Sequence, residues 1–128
     1  KLGQLKESLQ PIALNEDDLT AAALAIIQDG FRDVVTGTDA NTTGTMLQNS
    51  KMEISAKTGT AEMTVTDNGK VLDVENLNAV SYAPTSDPEI ALAVVIPQLR
   101  GEKKGYPNLT ITKEIMDVYY DMFMNKAE

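Results

Sequence analysis

Histidine, cysteine and tryptophan are all absent from this chain of 128 residues, and phenylalanine occurs only twice. Without histidine, the chain cannot supply a Ser-His-Asp triad, a His-liganded zinc or haem, or a histidine pH switch. Without cysteine there is no thiol nucleophile, disulfide, Cys-zinc knuckle or iron–sulfur site. Chemistry in this chain must therefore rest on Ser, Thr, Lys, Tyr, Asp or Glu, and no cofactor or metal is expected. Positive charge is also scarce: 11 Lys and Arg face 19 Asp and Glu, a formal net charge of −8. The basic residues are scattered, Lys103-Lys104 being the one adjacent pair. Such a balance repels a polyanion and argues against nucleic acid as a partner. Long apolar runs are missing too. No stretch near a terminus approaches the roughly 18–20 residues of a membrane span, and no signal peptide is visible.

What remains is the composition of a folded chain, with 42% hydrophobic and 23% charged residues, of a length that suits one domain. Residues 1–14 have weak periodicity and a break at Pro11, and read as a lead-in segment. Asn15 then has the character of a helix N-cap, with Glu16, Asp17 and Asp18 favouring the positive end of the helix dipole. Leu19, Ala23, Ile26, Ile27, Phe31 and Val34 recur at spacings of three and four, predicting an amphipathic helix that Gly37 stops. A polar loop over 36–45 follows, then a single helical turn at Met46-Leu47.

From Met52 the period changes to two. Met52, Ile54 and Ala56 alternate with Glu53, Ser55 and Lys57, which predicts a strand with one buried face. Asp67-Asn68-Gly69 is a tight-turn signal between Val65 and Val71. Residues 77–83 and 90–96 read as two further strands joined by Pro84-Thr85-Ser86-Asp87-Pro88. The second is apolar on both parities, so the expectation is cover on both sides. Residues 98–109 form a polar loop, within which Gly101 to Gly105 reads as solvated. Thr110 or Thr112 then caps a last helix whose Ile115, Met116, Tyr119, Met122 and Phe123 are expected to pack. The predicted fold is α/β of the α+β type: an antiparallel sheet of three to four strands flanked by N- and C-terminal helices.

One segment stands out chemically. Ile54-Ser55-Ala56-Lys57-Thr58-Gly59-Thr60-Ala61-Glu62 puts a lysine, two hydroxyls and a glycine where a structural strand prefers bulky residues. Glycine weakens a strand interior unless a backbone or ligand approaches closely. Thr58 and Thr60 are two apart, so their hydroxyls share a face; Lys57 has the other parity, and local twist can bring its amine round the strand edge. Such an edge can pair with an extended peptide, hold a carboxylate between hydroxyls and ammonium, or steady an oxyanion with a backbone N–H. A solvated lysine before a turn explains the same triplet, which arises by chance in roughly one chain in ten of this size.

Lys57-Thr58-Gly59-Thr60-Ala61-Glu62 resembles the third active-site motif of the penicillin-binding protein and serine β-lactamase superfamily. The surroundings narrow the resemblance. The helix ending Ile27-Gln28-Asp29-Gly30-Phe31-Arg32-Asp33-Val34-Val35-Thr36-Gly37, then Thr43-Gly44-Thr45 and Ser55-Ala56-Lys57-Thr58-Gly59-Thr60-Ala61, is similar to class B penicillin-binding transpeptidases of Gram-positive type. The strands Ala79-Val80-Ser81-Tyr82-Ala83-Pro84 and 90–96 fit the family's next two. Ala56 stands where many members have glycine. The resemblance implies a β-lactamase/transpeptidase-like fold, with Lys57 in the proton relay and attracting the carboxylate of substrate or β-lactam. It further implies that the hydroxyls of Thr58 and Thr60 bind that carboxylate. The backbone N–H of Thr60 would form half of the oxyanion hole, and Gly59 would give clearance for the acyl chain.

The family's nucleophile lies in Ser-x-x-Lys and its second motif is Ser-x-Asn. Among Ser8, Ser50, Ser55, Ser81 and Ser86, none has lysine three residues on or asparagine two residues on. The chain, which begins at Lys1 without methionine, is therefore expected to be the C-terminal portion of a transpeptidase domain, inactive alone. The implied whole is a D,D-transpeptidase anchored by an N-terminal membrane segment on the extracytoplasmic face. Its implied partners are peptidoglycan stem peptides, β-lactam antibiotics and cell-wall synthesis or division proteins, and this portion alone is expected to self-associate. The competing readings are a non-catalytic module binding peptides or a partner through the strand edge, and a D,D-carboxypeptidase or β-lactam sensor of the same superfamily.

Overall fold

The computed structural model describes residues 20–39, 42–101 and 105–125; the lead-in 1–14, the Asn15 cap with its acidic turn, and most of the 101–105 loop lie outside them. Helix α1 (Ala21–Thr36) begins later than the sequence predicts. Thr20 sits in extended backbone, and its hydroxyl accepts the Ala23 N–H at 3.1 Å, so the cap that operates is Thr20. The expected stripe is also displaced: Ile26 is 72% exposed, and Val35 is the residue α1 buries completely. A 3₁₀ turn, Thr45–Asn49, inserts Leu47 into the core as the Met46-Leu47 signal predicts.

Three strands follow: β1 (Ser55–Asp67), β2 (Lys70–Ala83) and β3 (Ile90–Leu99), antiparallel and in that order across the sheet. The first two meet at Asn68-Gly69, whose φ angles of 50° and 76° give the turn that matches strand twist. Their pairing runs unbroken from Asp67↔Lys70 to Ser55↔Tyr82. The hairpin's return arm and the segment 77–83 are thus one strand, and the sheet has three strands rather than four. β3 runs past Ile96, with a register shift where Pro97 has no N–H to give; Gln98, at φ 52°, donates its N–H to Asn76 Oδ1 at 2.8 Å.

One face of the sheet carries Ala56, Ala79, Ala83 and Leu92, and packs with Val35, Leu47, Ile54, Leu109 and Met116. Ser55, expected on the solvent side, is buried, and its hydroxyl is satisfied there by Thr85 Oγ1 at 3.0 Å. Helix α2 (Pro107–Tyr119) starts before the expected threonine caps, with Pro107 in its first turn. Thr112 lies inside it and returns its hydroxyl to the Asn108 carbonyl at 2.8 Å. A π turn, Tyr120–Met124, closes the described chain. Of the expected packing residues there, Met116 is buried, while Met122 and Phe123 are exposed.

The expected two-sided cover of β3 is corrected. Val94 is buried, but Val95 is 64% exposed, and Ala91, Ala93 and Val80 on the same face are exposed with it. From α1, Phe31 approaches this face, its ring 6.1 Å from that of Tyr82, and Leu24 and Ile27 line a hollow with them.

Candidate functional site

β1 is an edge strand among the described residues, and its hydrogen-bonding phase follows from the hairpin. The residues flanking a two-residue turn exchange both backbone bonds, and the alternation then continues in steps of two. With Asp67 opposite Lys70 and no register break, the odd-numbered residues of β1 bond to β2. Thr58 and Thr60 therefore turn their N–H and C=O groups to the free edge. Lys57 Nζ reaches that edge as well, donating to the Thr58 carbonyl at 2.7 Å. The ammonium thus comes round from the opposite parity, and no carboxylate among the described residues lies within ion-pair distance of it.

Gly59 faces the other way, towards Asn78. A Cβ placed on it would meet Asn78 Cβ at 3.8 Å and Nδ2 at 4.0 Å, both ordinary contacts. The fold itself does not demand glycine here. Thr60 is exposed, whereas Thr58 is half-buried. Its hydroxyl meets that of Thr43 at 2.6 Å. Together with Asp33, Asp39 and Thr42, the residues Thr43, Lys57 and Thr58 line a cleft of about 340 Å³ along the edge. A larger hollow of about 460 Å³ lies at the hairpin end, between Glu62, Asp73 and Leu99, and contains none of Lys57 to Thr60.

The four residues singled out by sequence are consecutive, so their proximity is trivial; what the fold adds is the free edge and a second wall. Thr43 belongs to that wall and had no assigned role in the sequence, although Thr43-Gly44-Thr45 was part of the family pattern. Its position is fixed by Gly44, which is buried and donates its N–H to the Val34 carbonyl at 2.9 Å. A Cβ on Gly44 would sit 2.6 Å from that carbonyl oxygen, so only glycine allows the loop to lie this close to α1.

A family model described as the penicillin binding protein transpeptidase domain matches residues 2–117. The chain belongs to that family. Penicillin-binding protein 2B of Streptococcus pneumoniae is 38% identical over 119 residues, covering 92% of this chain and 17% of the relative. Penicillin-binding protein 2A of Bacillus subtilis is 35% identical over 127 residues, covering 94% and 17%. The solved structure of the S. pneumoniae R6 protein 2B aligns with a TM-score of 0.78 at 32% identity, over 98% of this chain and 20% of that one. The class B penicillin-binding resemblance and the helix-flanked antiparallel sheet thus both hold. The chain spans less than a fifth of the length of the relatives it matches.

Proposed function

We propose that this chain supplies the Lys-Thr-Gly wall of a peptidoglycan D,D-transpeptidase whose serine nucleophile lies in another part of the same polypeptide. The observation that carries the reading is the free edge of β1: outward N–H groups at Thr58 and Thr60, with the Lys57 ammonium brought to the same edge. In the reaction, the serine oxygen bonds to the carbonyl carbon of the penultimate D-Ala, and the terminal D-Ala leaves with the transferred proton. An amine of a neighbouring stem peptide then takes the acyl group and restores the serine. Lys57 holds the substrate carboxylate and contributes positive charge to the proton relay. The hydroxyls of Thr58 and Thr60 hydrogen-bond that carboxylate, and the Thr60 N–H, jointly with the N–H of the serine, binds the oxyanion. Gly59 leaves room for the acyl chain to lie on the strand.

A β-lactam presents a carboxylate and a strained amide to the same groups, and is trapped as the acyl-enzyme. The work is extracytoplasmic, on a membrane-anchored protein acting with other cell-wall synthesis or division proteins. The described helices include none long and apolar enough to cross a membrane.

Fluorescent penicillin tests the assignment. The full-length protein is covalently labelled, while this chain alone, with no Ser-x-x-Lys, is not. In the full-length protein Lys57→Ala slows acylation by roughly 100-fold or more. Labelling of the isolated chain, or an unchanged rate in the Lys57 variant, overturns the assignment.

A further inference from the structure

We infer that Thr43 is a positioning residue for carboxylate recognition, donating its hydroxyl proton to Thr58 so that Thr58 can donate its own to the ligand. The inference rests on the transpeptidase reading and goes beyond it, because that reading assigns the strand residues alone. A threonine hydroxyl has one proton to give and two lone pairs to receive. Thr43 Oγ1 and Thr58 Oγ1 are 2.6 Å apart, a hydrogen bond in which either can be the donor. If Thr58 gave its proton to Thr43, it would present only lone pairs to an anionic ligand, and the contact would repel. A carboxylate in the cleft therefore selects the opposite polarity: Thr43 O–H to Thr58 oxygen, then Thr58 O–H to carboxylate. Bonds chained in this direction polarise one another and strengthen the terminal donor.

Thr43 is built to hold that position. It directly precedes Gly44, whose backbone is fixed on both sides: its N–H bonds Val34 O and its carbonyl accepts the Leu47 N–H, each at 2.9 Å. Gly44 packs against α1 so closely that an added Cβ would meet the Val34 carbonyl oxygen at 2.6 Å, which ties the loop's position to that helix. Thr43 itself is half-buried and lines the same cleft as Lys57 and Thr58. A hydroxyl held by a fixed backbone spares Thr58 the entropy of finding the productive rotamer when ligand arrives.

The test measures second-order acylation rates of the full-length protein by benzylpenicillin and by its methyl ester, which lacks the anionic carboxylate. Thr43→Val lowers the rate for the acid by about 5- to 10-fold and leaves the ester rate within about two-fold. Thr43→Ser, which keeps the hydroxyl, restores the acid rate. Thr58→Val and the double variant Thr43→Val/Thr58→Val are equally slow with the acid, because Thr43 acts only through Thr58. An equal loss for acid and ester in Thr43→Val, a multiplicative loss in the double variant, or an unchanged acid rate overturns the inference while the wild-type protein still acylates. Absence of wild-type acylation overturns the transpeptidase reading together with it.

Discussion

Gly59 separates the demands of folding from those of chemistry at a single position. Glycine inside a strand lowers stability by about 0.5–1 kcal/mol relative to alanine, and here an added methyl would meet Asn78 only at ordinary contact distance. Gly59→Ala is therefore expected to leave the Tm of the full-length protein unchanged or slightly raised. On the proposed function its acylation by penicillin should fall roughly tenfold or more, because the methyl would enter the path assigned to the acyl chain. A variant with wild-type acylation would show that no ligand runs over this stretch of strand. Lys57 poses the complementary question of charge. The chain carries −8 overall, so its field does not draw an anion from a distance, and at physiological salt fields fade within about 8 Å. In the proposed function, carboxylate capture therefore falls to the lysine at the edge and its hydroxyl neighbours.

At the scale of elements, the docking of α2 depends on a polar clamp. Asp117 accepts the Ser50 hydroxyl at 2.6 Å and the Lys51 N–H at 2.8 Å through one oxygen, and the Lys113 ammonium through the other. Lys51 also pairs with Asp121 in the π turn. Burial is the largest influence on the Asp117 carboxyl and pushes its pKa up, but the bonds from Lys113, Ser50 and the Lys51 amide together hold it below the ordinary 3.8. A carboxyl with a depressed folded pKa stabilises the fold above the unfolded value, and the contribution disappears as pH falls through the folded value. Asp117→Asn should thus destabilise the protein by roughly 1–2 kcal/mol at pH 7. Urea unfolding at about pH 3 should show a narrower gap from wild type, since the unfolded wild-type chain then takes up a proton that the folded Asp117 resists, while Asn does not titrate. A gap independent of pH would remove the ionic part of the clamp. The same elements show what local pattern conveys. Asn68-Gly69 and the period-two alternation announce the hairpin, whereas Ser55 breaks the alternation because its partner, Thr85, is 30 residues away.

The whole molecule is finished on one side only. The face formed by Val35, Leu47, Ile54, Leu109 and Met116 is closed. The opposite face leaves Val80 46% and Val95 64% exposed, beside Leu24 and Ile27 of α1, and β3 has an outer edge with no partner among the described residues. Contiguous apolar surface of this kind favours association, and an open edge strand offers a template for pairing. This chain produced alone should therefore self-associate through that face and edge, with sedimentation coefficients rising with concentration. Val80→Asp/Val95→Asp should lower the association. A clean monomer at every concentration would show that the face tolerates water. In the full-length protein the remainder of the domain is expected to cover the same surface.

The sequence by itself determined the chemistry that is excluded, the hairpin turn, the strand phase and the Lys57-to-Thr60 motif, because composition, turn geometry and side-chain period act over a few residues. Tertiary structure decided the rest. It joined two predicted strand segments into one β2, buried Ser55 and left one face of β3 open. It also brought Thr43 against Thr58 across 15 residues and Asp117 against Ser50 across 67. Those outcomes depend on which surfaces pack together and which hydroxyls then find partners, and no local periodicity encodes a contact between segments that meet only once the core has formed.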